Sequence, residues 1–261
     1  LDLGTVRGPR RSVRSSVSAV LTLGLLLAGS LGCRHHIDVI RVSDPPGATA
    51  IPENDRKTVA RTVADTAAAE HPHREIGTLA YQYSRKPPKK LRPRSNVRVQ
   101  LCSIECCVIH ALDDPTCPLN AVFMRDLNGW SNLAERLSIW HYQVNFSDYT
   151  LIYPSLRWID HNVRIFVSHN VEGIFMQAAG ETVGAAFSDL YNYVISAVLW
   201  DPSREAGELT TEFIRLHYGP AAEPIQRFVD LVHDKALASD RHSLCFGRAS
   251  RFSLDDLGTA E

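Results

Sequence analysis

Glu105 is the residue whose position most invites chemistry. It lies in Ser103-Ile104-Glu105-Cys106-Cys107, between neighbours of apolar character and just past a β-branched run. Partial burial there suits a carboxyl group to general acid work. The competing reading is a structural carboxylate that bonds loop amides or an arginine from residues 85–98. His141, between Trp140 and Tyr142, is the second candidate. A neutral imidazole can bond a hydroxyl or act as a base, or it can simply pack. Glu105 and His141 are therefore the catalytic candidates. Tyr81, Tyr83, Trp140, Tyr142, Asn145, Gln177 and Glu181 are the substrate-binding candidates. Aromatic rings stack on the C–H face of a pyranose, and amides and carboxylates take its hydroxyls. Of Trp140 and Tyr142, one is expected in the core and one in the site. Glu181 and Asp148 are the candidates for a second carboxylate, and Glu172 is discounted because it begins a strand.

Cys102, Cys106, Cys107 and Cys117, with His110, raise the question of zinc. Their spacing, C-x3-C-C-x9-C, is not that of paired C-x-x-C knuckles, and adjacent cysteines rarely ligate one ion together. The expectation is no metal and no cofactor. A disulfide from Cys106 or Cys107 to Cys117, or buried free thiols, accounts for them. A thiol or metal protein built on residues 102–117 is the outsider that bound zinc would revive. The basic stretch 85–98 lacks the interleaved aromatics of a nucleic-acid site. It reads as a solvated loop, or as a site for an acidic sugar such as a uronate.

These residues need a scaffold. The chain has 261 residues, 44% of them apolar and 22% charged, which is ordinary globular composition. Its 28 basic and 29 acidic residues give a net charge of −1, with no general pull toward nucleic acid or anionic membrane. Arg7, Arg10, Arg11 and Arg14 precede an apolar run from Val17 to Leu31 that ends before Cys33. Residues 1–33 thus read as an export signal of lipoprotein type, with membrane anchoring through Cys33. Residues 34–238 form the folded part and residues 239–261 a loose tail. Strands are expected at 37–42, 75–84, 96–103, 137–142 and 171–177. Helices are expected at 53–70, at 125–136 and at least from Ser131 there, at 154–169, and at 184–200, 206–218 and 221–236. Residues 104–124 read as irregular, and Leu156, Ile159, Val163, Phe166 and Val167 as one apolar helix face. The alternation argues for an α/β fold with a parallel sheet, a partial TIM-type (β/α) barrel of about five strands with a C-terminal helical tail. In such folds ligands bind at the C-terminal ends of the strands, where the candidates fall.

Five segments in order then resemble the DUF4838 family. They are Thr78-Leu-Ala-Tyr-Gln-Tyr-Ser-Arg-Lys-Pro-Pro-Lys-Lys, Cys102-Ser-Ile-Glu-Cys-Cys, Ile139-Trp-His-Tyr-Gln-Val-Asn-Phe, Val171-Glu-Gly-Ile-Phe-Met-Gln and Val198-Leu-Trp-Asp-Pro. Members are bacterial, mostly exported and functionally unassigned, and are similar to α-glucuronidase and hexosaminidase-like barrels. The resemblance implies a TIM-type barrel, shortened here at its N-terminal side, that acts on or binds carbohydrate, including uronates, at the cell envelope. Glu105 matches the family pattern. Where the pattern carries further acids, this chain has His141, Met176 and Ala186. The alternative to a glycoside hydrolase is therefore a non-catalytic, degenerate or truncated carbohydrate-binding barrel fragment, because two-carboxylate hydrolysis needs both acids.

Overall fold

The structure, a computed structural model, describes residues 38–39, 53–150, 152–178, 184–239 and 241–246. The expected signal segment with Cys33, and Glu181, lie outside the described residues. No helix among the described residues is long and apolar enough to cross a membrane.

Four full strands form a parallel sheet: β2 (Ile76–Ala80), β3 (Val97–Cys102), β4 (Arg136–Tyr142) and β5 (Val171–Gln177). A two-residue segment, β1 (Asp38–Val39), pairs parallel with β2 at one edge. The sheet thus has four full strands rather than the expected five. Spatial order follows chain order without a reversal. Among the described residues the sheet is open, and its two edges do not pair with each other. Helices separate the strands or follow them: α1 (Glu53–Glu70), α2 (Pro118–Leu133), α3 (Ile159–Ser168), α4 (Ser188–Trp200), α5 (Ala206–Tyr218) and α6 (Ala222–Ala238).

Period-two alternation gives the sheet two chemically distinct faces. Ala80, Val99, Leu101, Leu137 and Ile139 face Phe123, Leu127 and Trp130 of α2 and Ile165 and Phe166 of α3. The C-terminal helices build a second core on α3, where Leu190, Val194, Leu209, Ile214 and Val229 meet Ile159 and Val163.

The expected boundaries shift for local reasons. Helix α2 begins at Pro118, inside the stretch 104–124 that reads as irregular and ahead of the expected 125. Proline is tolerated at the first helical position, and Phe123, Leu127 and Trp130 recur every three to four residues on one buried face. Strand β2 stops at Ala80 because Gln82 takes a left-handed φ of 47° and turns the chain into a 3-10 turn over Gln82–Ser84. The apolar face of α3 omits Val167, which is exposed. The start of the basic loop is not solvated. Arg85 is buried, Trp130 Nε1 donates to its carbonyl at 2.6 Å, and Pro87 lies over Gly129. A Cβ at 129 would meet Pro87 Cγ at 2.7 Å, so this close approach requires glycine.

The second face of the sheet carries no helix from α2 or α3. At the N-terminal ends of its strands, Arg98 pairs with Glu75 at 2.9 Å and Glu172 at 2.8 Å, and Arg136 pairs with Glu75 at 2.5 Å. Arg98 and Arg136 are direct cross-strand partners, an arrangement that repels unless the flanking glutamates neutralise it. At the other end, residues 241–246 form a strap. Val108 N–H donates to the Ser243 carbonyl and Phe146 N–H to that of Cys245. Cys245 is buried against Cys102, Ile104 and Tyr142. The expected loose tail thus does not begin at residue 239.

Two buried histidines are neutral. Burial pushes His141 and His233 down to about 4. His233 Nδ1 donates to the Val229 carbonyl at 2.8 Å and Nε2 accepts from Leu156 N–H at 3.3 Å, which fixes its tautomer. A folded-state pKa below the unfolded value of 6.5 means that acid loads protons on the unfolded chain first. Stability therefore falls as pH drops from about 6.5 to about 4, by roughly 2–3 kcal/mol per unit for the pair. Urea unfolding at pH 7 and pH 5 should show this loss, and His141→Phe should reduce it. An unchanged slope in the variant would remove His141 from the account.

Candidate functional site

The C-terminal ends of β4 and β5 build a row of aromatic rings on the face that α2 and α3 leave open. Trp140 and Tyr142 are two residues apart on one strand and therefore share a face. Their rings stack at 5.8 Å and 14°. Tyr142 is buried and Trp140 half-buried, so one is core and one reaches the open face as expected, although both share that face and His141 between them points to the helices. Phe175, in register with Trp140, stands edge-on to it at 5.2 Å and is 43% exposed. Gln177 is in register with Tyr142, and its Oε1 accepts from Trp140 Nε1 at 2.9 Å. Phe146 continues the row, edge-on to Tyr142 at 6.1 Å and stacked on Phe246 of the strap at 4.9 Å. Tyr81 lies half-buried at the edge of this group, and Tyr83 is exposed on the adjoining 3-10 turn.

Glu105 stands on the loop after β3, with its side chain 47% exposed. One oxygen is committed to Arg85 Nη1 at 2.6 Å. The same guanidinium gives Nε to buried Asp126 at 2.8 Å. Arg85 thus ties the β2–β3 loop, the loop after β3 and helix α2 together. This is the arginine partner that the structural reading of Glu105 required.

His141 does not reach the site. It is buried with its ring edge-on to Phe166, and Ser103 Oγ lies 2.6 Å from Nδ1. Nε2 has no partner among the described residues. A catalytic role for His141 is corrected accordingly: a ring enclosed between sheet and α3 touches no ligand, and burial keeps it neutral. Its cross-strand partner is Met176. Asn145 is buried and shapes its own turn, with Oδ1 accepting from Ser147 N–H at 2.9 Å. Beside it is a cavity of about 20 Å³, bordered by Gln143, Asn145, Tyr149, Tyr153 and Tyr191, of the size of one water molecule rather than a sugar. The Tyr191 hydroxyl donates to the Tyr153 carbonyl there.

The five described cysteines are free thiols, so the expected disulfide to Cys117 is not formed. Cys106 turns into the core beneath Ala80 and Phe123. Cys107 and Cys117 turn the other way and meet His110 and His242, with four possible ligand atoms all within 4.8 Å of one another. Phe246, Asp126 and His242 are the residues that sequence reasoning did not place at either site. Phe175 and Phe146 have a sequence signal, since they lie two residues before Gln177 and next to Asn145. His242 has none, being 125 residues from its sulfur partner.

Asp126→Ala should cost about 3 kcal/mol, because it strips the buried guanidinium of its most enclosed partner. Glu105→Gln, at a half-exposed pair, should cost under about 1 kcal/mol. Denaturant unfolding of both variants checks the ordering, and equal costs would show that the triad does not hold the loops.

No curated protein and no solved structure matches the chain. A family model described as "Domain of unknown function (DUF4838)" matches residues 57–230, well over half of the sequence. The segments Thr78–Lys90, Cys102–Cys107, Ile139–Phe146 and Val171–Gln177, which carry strand ends, and Val198–Pro202 at the end of α4 all lie within that span. The chain belongs to the DUF4838 family.

Proposed function

We propose that this chain binds carbohydrate on the aromatic row at the C-terminal ends of β4 and β5, as an exported protein of glycoside hydrolase-like architecture. The observation that carries the reading is the row itself. Phe175 is exposed and Trp140 half-buried on adjacent strand ends, the buried Tyr142 ring is stacked on Trp140, and the Gln177 amide is fixed beside it. Pyranose rings stack on aromatic faces, and amides take their hydroxyls. The uninterrupted strand order supports a singly wound arc of a TIM-type barrel, whose ligands bind at this end. A doubly wound sheet would reverse its order at the ligand site.

Binding without turnover is favoured by what surrounds Glu105. Its nearest cation holds one carboxylate oxygen. Positions 141 and 176, where related sequences resemble one another in carrying acids, are in register here and hold a buried neutral histidine and a methionine. Neither supplies the second carboxylate of a hydrolytic pair. Glycoside hydrolysis is the second reading. It is favoured by the half-exposure of Glu105 just past the end of β3.

Calorimetric titration of the full chain with neutral and uronate-containing oligosaccharides tests the first reading. Trp140→Ala should weaken binding about tenfold or more, equivalent to about 1.4 kcal/mol. Absence of binding by the folded protein to every glycan class would remove it. A parallel screen with chromogenic glycosides and uronides, beside Glu105→Gln, tests the second. Turnover that disappears in the variant would establish hydrolysis, and none in the parent would leave binding alone.

A further inference from the structure

We propose that Cys107, His110, Cys117 and His242 bind one structural zinc ion, which fastens the C-terminal strap to the loop between β3 and α2. The four side chains each offer one ligand atom, and these atoms lie within 4.8 Å of one another. Cys107 Sγ is 3.2 Å from His110 Nδ1, and Cys117 Sγ is 3.6 Å from His242 Nδ1. A tetrahedral zinc with ordinary bond lengths separates sulfur from nitrogen by about 3.6 Å and sulfur from sulfur by about 3.8 Å. The two sulfur–nitrogen distances thus lie within a few tenths of an ångström of those values, and small side-chain rotations suffice to close the four atoms on one ion.

The donor set specifies the metal. Two thiolates and two imidazoles in a compact group suit zinc, and four protein ligands leave no open position for substrate. The site is therefore structural. The adjacent cysteines divide their work. Cys106 faces the apolar core of α2, and only Cys107 faces the cluster. Cys107 and His110 stand in a C-x2-H turn on one loop, and Cys117 precedes α2.

The loop is built to hold these ligands before an ion arrives. Asn120, fully buried, donates Nδ2 to the carbonyls of Cys107, His110 and Ala111 and accepts from Cys107 N–H at 2.8 Å. Trp158 Nε1 binds the Ile109 carbonyl at 2.7 Å, and Asn162 Oδ1 accepts from Leu112 N–H at 3.1 Å. Such outer bonds orient first ligands in metal sites. The fourth ligand comes from the strap, where Val108 N–H already donates to the carbonyl of Ser243, next to His242. The ion would thereby hold Cys245 and Phe246 over Tyr142 and Phe146.

The full chain, purified under reducing conditions without chelator, should carry about one zinc per molecule by elemental analysis. Cobalt(II) reconstitution after chelation should give the d–d absorption of a tetrahedral site and thiolate-to-metal charge transfer. His242→Ala, at a half-exposed position where folding is not at stake, should retain more than about tenfold less metal against a competing chelator. Cys117→Ser should do the same, and Cys106→Ser should retain full metal. Chelation should lower the melting temperature of the parent and leave that of His242→Ala unchanged. A folded, reduced parent that binds neither zinc nor cobalt would overturn the proposal. So would a Cys107–Cys117 disulfide in peptide maps of the freshly isolated chain, or equal metal retention by parent and His242→Ala.

Discussion

A parallel sheet occurs almost only with both faces covered, because the crossovers between its strands lay chain across them. Here α2 and α3 cover one face only. Everything distinctive about the molecule follows from how the other face is satisfied. One end is neutralised by Glu75, Arg98, Arg136 and Glu172, drawn from the starts of four successive strands. The other end is closed by aromatic rings and by the strap that lays Cys245 and Phe246 against them. The face grades from charge to aromatic surface along the strand direction. The aromatic half is the part a ligand can use.

That gradient also explains the division of labour along β4. Leu137, Ile139 and His141 serve the helix layer, while Trp140 and Tyr142 serve the open face. His141 is a core residue by parity alone, whatever its chemistry suggests. Glu105 escapes this rule because it stands on a loop, and Arg85 decides its orientation instead. The guanidinium is almost enclosed and needs Asp126 and Glu105 together, so the exposed carboxylate is part of a structural triad.

The strand and helix order was legible in the sequence because it rests on β-branched runs and apolar periodicity, which are local. The aromatic row was half legible. Trp140, Tyr142 and Gln177 stand at strand ends that the sequence marks, and the family motifs bracket them. Three features were not legible, the last two because they depend on distant chain. The start of α2 at Pro118 was obscured by the preceding cysteines, although its apolar spacing runs from Phe123. The burial of Arg85 depends on Asp126, 41 residues away. The meeting of His242 with Cys117 depends on the seven intervening helices and strands that bring the strap back over the sheet.

The position of the strap in the chain bears on biosynthesis. Chains fold from the N-terminus as they emerge during translation. Strands β2 to β5 and the helix-side core draw on residues up to 177, and the C-terminal helical core is complete by residue 238. The cover for the aromatic end of the sheet is made from residues 241–246. For the whole interval of synthesis before that, Tyr142 and Phe146 face the crowded nascent-chain environment uncovered. The strap is thus the segment that ends this exposure to aggregation, and a chain stalled just short of it would present an adhesive aromatic face.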